Sequence, residues 1–226
     1  INGLVWMDSK DEMLKQSFKK VEEGFICIKF KVGALDFDEE CRMLETFRKK
    51  HSSSKVEIRL DANGAFKNDE ALRQLNELSR FGVHSIEQPI KPKQSEIMQE
   101  ICAKSKIPVA LDEELIGIDV MTEGKKLLQL IKPAYIILKP TLLGGFVLSE
   151  QWIKYADELT IAWWATSALE SNIGLNAISQ WTSGFDNRLP QGLGTGSLYT
   201  NNILTPLVVK NGFIFYDVNK SWQNTI

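Results

Sequence analysis

Five charged residues recur along the chain at intervals of 25 to 30 positions: Lys31, Asp61, Glu87, Asp112 and Lys139. Each sits at or just after the end of a short run of β-branched, aromatic or other apolar residues. If those runs pair as neighbouring strands, about 4.8 Å apart, three carboxylates from consecutive runs converge within a few ångströms. Three unpaired negative charges that close repel strongly in a partly dry site, and a hard divalent cation with all-oxygen ligation resolves the repulsion. Asp61, Glu87 and Asp112 are therefore candidate ligands for Mg2+, with Mn2+ as an alternative; His or Cys at these places would have pointed to zinc. The blander alternative is that each carboxylate simply pairs with a lysine.

The lysines carry the second half of the chemistry. Residues 25–31 alternate, so that Ile26, Ile28 and Phe30 face one side while Cys27, Lys29 and Lys31 face the other. With the apolar side against helices, both lysines point to the interior, where an unpartnered ammonium group is costly. A lysine beside a metal ion and a second ammonium group loses its proton more easily, which suits a general base. Lys31 and Lys139 are the candidate catalytic pair, and Lys29 is expected to be tied to a carboxylate beneath them. The two histidines are poor candidates. His84 lies an odd number of residues before Glu87, and His51 opens a Ser-rich loop.

A fold that positions these residues must bring successive strand ends to one place. Strand-like runs fall at 4–7, 25–31, 56–61, 85–87, 109–112, 135–139 and 160–165, separated by segments with apolar residues at helical spacing. Ser9 and Asp36 stand where helix N-caps belong, and Gly24 and Gly82 stand just past helix ends. Ser167 and Gly192 extend the same spacing beyond Lys139. A repeat near 27 residues with charged groups at one end predicts a (β/α)8 barrel, whose active site lies at the C-terminal face of its strands. Eight such units occupy roughly residues 1–205. The remaining 206–226 contain a hairpin signal at Asn211-Gly212.

The motifs Lys29-Phe30-Lys31, Asp61-Ala62-Asn63, Glu87-Gln88-Pro89, Asp112-Glu113 and Lys139-Pro140, in this order and spacing, resemble the enolase superfamily and its muconate-lactonizing-enzyme subgroup. Within the subgroup, residues 138–145, 166–174 and 191–195 resemble the o-succinylbenzoate synthase family. That resemblance implies a lyase of menaquinone biosynthesis, in which Mg2+ is held by the three acids. Lys31 would remove the proton α to the substrate carboxylate, Lys139 would help stabilise the ene-diolate, and hydroxide would leave with a proton from Lys31. It also implies supporting roles for Lys29, Asn63 and Glu113. Backbone N–H groups near Ser167 and Gly192 would hold a succinyl carboxylate, although the Gly192-Gly194-Gly196 cluster could equally be a flexible turn or a phosphate loop. Such proteins carry an N-terminal capping domain, so the chain, which opens inside an apolar run at Ile1, is expected to be the barrel portion with a tail that packs on the cap.

Three other readings compete. N-acylamino acid racemases and dipeptide epimerases share the subgroup's metal and lysine pair, but the acidic DxD signature of the epimerases is absent from 192–196. A Schiff-base aldolase using Lys139 would leave the three acids unexplained, and a metal-binding barrel without catalysis is the fourth possibility. Composition narrows the field. Of 226 residues 43% are hydrophobic, and 27 basic against 29 acidic residues give a net charge of −2, which argues against nucleic acid and anionic membranes as partners. The expected partner is a small-molecule carboxylate; no pattern fixes an oligomeric state. Three cysteines without a CxxC motif read as reduced thiols of a cytoplasmic protein.

Overall fold

The computed structural model describes residues 1–196 and 198–223. Seven strand–helix units follow one another: β1 (Gly3–Val5), α1 (Lys10–Glu22), β2 (Cys27–Lys31), α2 (Phe37–Lys50), β3 (Glu57–Asp61), α3 (Ala71–Leu78), β4 (Val83–Glu87), α4 (Ser95–Lys104), β5 (Val109–Leu111), α5 (Lys125–Ile131), β6 (Tyr135–Leu138), α6 (Phe146–Glu158), β7 (Ala162–Ala165) and α7 (Asn172–Ser183). The strands form one parallel sheet in sequence order, β1 through β7. Local chemistry explains the starts and stops. Ser9 and Asp36 cap α1 and α2 by accepting from the backbone N–H of Glu12 and Asp38. Gly82 turns the chain into β4 at φ +61°, a conformation that glycine adopts without steric cost.

The eighth unit departs from expectation. Instead of a strand, an extended segment makes a single parallel bridge, Thr166 to Gly192. This segment still joins the two sheet edges. Gly192 N–H donates to the Ala165 carbonyl at 2.7 Å on the β7 side, and Asn2 N–H donates to the Gln191 carbonyl at 2.9 Å on the β1 side. Glycine is required at 192, because a Cβ there would stand 2.5 Å from Thr166 Oγ1. Pro190 and the 194–196 glycines leave too little ladder for a regular strand. The first strand also ends early, at Val5, leaving Trp6 beyond it.

Strand alternation sorts the interior. Ile28, Phe30, Ile58, Leu60, Ile86, Ile136 and Leu138 are buried in the main core between sheet and helices. The opposite faces fill the barrel. Register pairs Lys29 with Arg59 and Arg59 with Ser85, then, one layer higher, Lys31 with Asp61 and Asp61 with Glu87. Ile26 was expected among the outward core residues but is 69% exposed, because it precedes β2 at the barrel's far end. Arg59 crosses the lower interior. Its guanidinium lies 4.0 Å over the Trp164 ring, Nε donates to Glu57 at 2.7 Å, and Nη1 donates to the Pro190 carbonyl at 2.8 Å. It thereby ties the short eighth segment to β3.

After α7 the chain runs to a hairpin, β8 (Leu207–Lys210) with β9 (Phe213–Tyr216), turning at Asn211 and Gly212, both at positive φ. Leu207 and Ile214 pack against Leu175, Ile178 and Leu193 on the barrel's flank. Phe213, Phe215 and Tyr216 are exposed. Within the expected tail, residues 224–226 lie outside the described residues. No helix among the described residues is long and apolar enough to cross a membrane.

Two predictions follow from this framework. Arg59→Ala removes a fully buried cation that links β3 to the closing segment and should lower unfolding stability by about 3 kcal/mol in urea titration. The second concerns Glu40, buried near the start of α2, whose Oε1 accepts from Gly33 N–H at 2.5 Å and Leu35 N–H at 3.3 Å, fixing the loop that follows Lys31. Burial pushes its carboxyl up to about 7, against the opposing pull of those N–H donors. A raised carboxyl pKa means that the folded state holds the proton more tightly, so this contribution falls as pH rises from about 4.5 to about 7. Glu40→Gln keeps the acceptor and should flatten that part of the stability–pH curve, with stability at pH 8 at least that of the parent.

Candidate active site

The C-terminal ends of the strands surround a cavity of about 260 Å³ lined on one side by Lys29, Lys31, Asp61 and Lys139 and on the other by Thr166, Ser167 and Gly192. Leu4, Trp6, Leu142 and Leu169 supply apolar wall. The charged side is a chain of ion pairs. Lys29, buried, places Nζ 2.8 Å from Asp61 Oδ2 and 2.7 Å from Glu87 Oε2. Lys31 Nζ lies 2.6 Å from Asp61 Oδ2 and donates to Asn63 Oδ1 at 2.6 Å. Lys139 is hydrogen-bonded to Asp112 Oδ2.

The electrostatics follow from burial and neighbours. Asp61 would be raised by burial alone, but Lys29 and Lys31 hold it well below the usual carboxylate range. Glu87 is pushed well above that range by burial and then by the charges of Asp61 and Asp112, which Lys29 and Lys139 only partly offset. Lys29 and Lys139 are both held above the ordinary lysine value: burial opposes the charge, and the facing carboxylates outweigh it.

The short motifs now have physical explanations. Asn63 adopts φ +44°, accepts from Lys31, and donates through Nδ2 to Glu113 Oε1 at 2.8 Å. Its own N–H donates to Asp61 Oδ1 at 3.0 Å, fixing the carboxylate's rotation. Gln88 is fully buried at φ +39° and accepts from the N–H groups of Asp112 and Glu114, so it sets where β5 ends. Lys29, Asn63 and Glu113 thus all touch the charged cluster or its immediate partners.

The three acids do not sit as a simple triangle. Asp61 and Glu87 are register partners, but Glu87 pairs with Ala110, so Asp112 falls a layer higher, past the end of β5, and turns to Lys139. Among the described residues, no three His, Cys, Asp or Glu side chains are grouped as a metal ion requires. Each acid is instead satisfied by an ammonium group. The donor chemistry nevertheless fits a hard divalent cation: the donors are oxygens only, they come from consecutive strand ends, and Asp61 and Asp112 add their charge to burial in holding the Glu87 carboxyl above its ordinary range.

Ser167 and Gly192 stand together on the far wall, but their N–H groups are engaged. Ser167 N–H donates to the Gly192 carbonyl at 3.0 Å, and Gly192 N–H to Ala165. The backbone donors expected for a substrate carboxylate therefore form the barrel's closing bridge. Sequence reading missed Thr166, whose buried hydroxyl lacks a partner at the cavity wall, and Trp6; only their position one residue past a strand end marked them. His84 contacts Ser85 and Tyr135 in the lower interior, away from the cavity. Cys27 and Cys41 are buried free thiols, and Cys102 is half-buried.

Comparison with known proteins places this arrangement among relatives. The profile of the enolase C-terminal domain-like family matches residues 12–218. An o-succinylbenzoate synthase of Desulfotalea psychrophila is 50% identical over 95% of this chain and 58% of its own length. A crystal structure of MenC from that organism superposes with a TM-score of 0.89 at 49% identity, covering 95% of this chain and 59% of that one. An L-Ala-D/L-Glu epimerase of Bacillus subtilis is 23% identical over 79% of this chain and 48% of its length. The chain thus spans somewhat over half the length of the Desulfotalea proteins it matches. With the profile covering nearly all of the barrel, from α1 through the terminal hairpin, the chain belongs to the enolase C-terminal domain-like family.

Proposed function

We propose that this chain carries the catalytic barrel of a lyase that dehydrates 2-succinyl-6-hydroxy-2,4-cyclohexadiene-1-carboxylate to o-succinylbenzoate, a cytoplasmic step of menaquinone biosynthesis. The observation that carries this reading is the 50% identity to the Desulfotalea o-succinylbenzoate synthase along 95% of the chain. The cavity agrees with it in having a cationic side, which attracts a carboxylate, and an apolar wall, which accepts a ring.

Asp61, Glu87 and Asp112 would hold Mg2+, or Mn2+ in its place, which when bound supplies positive charge beside the substrate carboxylate. Lys31 is the base. Its Nζ reaches the cavity, and Asn63 and Asp61 fix its direction. The amine takes the proton α to the carboxylate, and the electron pair of that C–H bond moves onto the carboxylate oxygens as an ene-diolate, from which it returns to form the new ring double bond. The C–O bond to the ring hydroxyl then breaks, and the oxygen leaves as water with the proton that Lys31 had taken. Lys139 stays protonated, since Asp112 and Glu87 favour its charged form over burial, and it offsets the negative charge that grows on the substrate. Lys29 takes no proton: locked between Asp61 and Glu87, it keeps the two carboxylates at fixed separation. Aromatisation makes the reaction run forward.

Lys31→Ala should lower turnover in a spectrophotometric assay at least about a thousandfold, the loss of a general base together with its proton return. The same variant removes one of the two ammonium groups on Asp61 Oδ2 and leaves Lys29, so calorimetric titration with MgCl2 should show binding equal to or tighter than the parent's. Normal turnover by this variant, or loss of Mg2+ binding on its removal, would sink the assignment. Deuterium exchange at Cα of N-succinyl amino acids by the parent protein would favour a racemase instead.

A further inference from the structure

Glu170 was given no role in the sequence, yet it gathers more of the site's far wall than any residue named so far. Its Oε2 accepts from Ser167 Oγ at 2.6 Å, and both carboxylate oxygens accept from Ala168 N–H, at 3.1 and 2.9 Å. Oε1 also accepts from the hydroxyl of Thr141, which lies on the loop following Lys139. Ser167 Oγ, having given its proton to Glu170, accepts from Thr195 Oγ1 at 2.8 Å and from Leu169 N–H at 2.9 Å. One carboxylate therefore joins the loops that follow β6 and β7 to the segment that follows the closing bridge.

Two further features show that this arrangement is built in. Leu169 lies at φ +68°, where a leucine is strained by roughly 1 kcal/mol and stays only if its surroundings hold it there. Ser167 Oγ holds its N–H, and Tyr199 Oη donates to its carbonyl at 3.0 Å. The helical Gly174 leaves room for the Glu170 stem, since a Cβ at 174 would stand 2.9 Å from Glu170 Cβ. Burial would raise the Glu170 carboxyl, but the Ser167 and Thr141 hydroxyls more than compensate and keep it ionised.

We infer that Glu170 is a positioning residue: it clamps three loops of the catalytic face into one wall and holds Leu169 in its strained conformation against the cavity, so that the wall is shaped before substrate arrives. The clamp also consumes every hydrogen-bonding position of the Ser167 side chain, one donated and two accepted bonds, so that this hydroxyl shapes the cavity and does not grip the ligand. This deepens the dehydratase reading and rests on it for its kinetic consequence.

The test uses Glu170→Ala, Glu170→Gln and Thr141→Val in the complete protein, with two readouts. The first is amide hydrogen exchange without substrate. Glu170→Ala should speed exchange in the segments around 139–145, 166–172 and 192–196 together, while β2 to β5 keep the parent's protection. The second is steady-state kinetics on the proposed substrate. KM should rise about tenfold in Glu170→Ala, the change expected for losing one charge-assisted hydrogen bond, with kcat within about threefold of the parent. Glu170→Gln keeps an acceptor oxygen and should recover most of this, and Thr141→Val should reproduce part of it. Unchanged exchange in the three segments overturns the inference, as does faster exchange throughout the barrel, which would mark a merely structural residue. A fall in kcat at constant KM overturns it too, because Glu170 would then act on the reacting atoms. If the parent neither binds nor turns over the substrate, the dehydratase assignment falls by itself, and the exchange pattern alone decides whether the clamp exists. Should Glu170→Ala fail to fold, the Gln and Thr141→Val variants give the same comparison.

Discussion

The Lys29 ammonium group, out of water between Asp61 and Glu87, is the interaction on which the rest of the site depends. Two carboxylates on adjacent strands at the same register level would repel with little solvent to screen them. Lys29 removes the repulsion from below, from the layer of Arg59 and Ser85, and leaves Asp61 at the cavity wall. From that point the layout follows. Lys31 can share Asp61 because Lys29 already balances Glu87, and Asp112, a layer higher, is left for Lys139. Three lysines face three acids, with Asp61 shared between Lys29 and Lys31.

The mouth of the barrel divides into two parts with different physics. The strands β2 to β6 deliver charge on rigid backbone, each side chain fixed by a register pair or by the end of a strand. The opposite wall is made from loops, and its order comes from hydroxyl and carboxylate hydrogen bonds, not from a ladder. Rigid strands suit groups that must hold a proton at a set distance. Loops suit a surface whose shape decides which molecule fits.

Much of the charged half was legible in the sequence because it obeys a period. Lys31, Asp61 and Glu87 end their strands as the alternation requires, and the N-caps at Ser9 and Asp36 hold as read. The family follows from the same motifs. The departures have local causes. Asp112 sits a layer above the other two acids because β5 stops at Leu111, a difference of one pleat that spacing along the chain does not resolve. The eighth strand was expected from the repeat alone, but Pro190 lacks the N–H that a ladder needs, and the glycines at 192, 194 and 196 bring no side chains to pack beside one. Ser167 and Gly192 stand together at the cavity wall, with their backbone N–H groups committed to the seam. Glu170 and Thr166 lie in loops, where no periodicity marks a side chain as turned inward.

That seam bears on how the molecule assembles. The ring is completed where Asn2 meets Gln191, so the last contact joins residues almost the whole length of the chain apart. Every other strand pairing joins neighbours along the sequence and can form soon after its own helix has docked. Bringing the two edges together carries the largest loop-closure entropy in the barrel, and the contact that results has one bridge and a few tethers to repay it. Closure therefore combines the largest entropic cost in the barrel with the fewest ladder contacts, which makes this seam the weakest line of the sheet, on the side away from the charged cluster of β2 to β5.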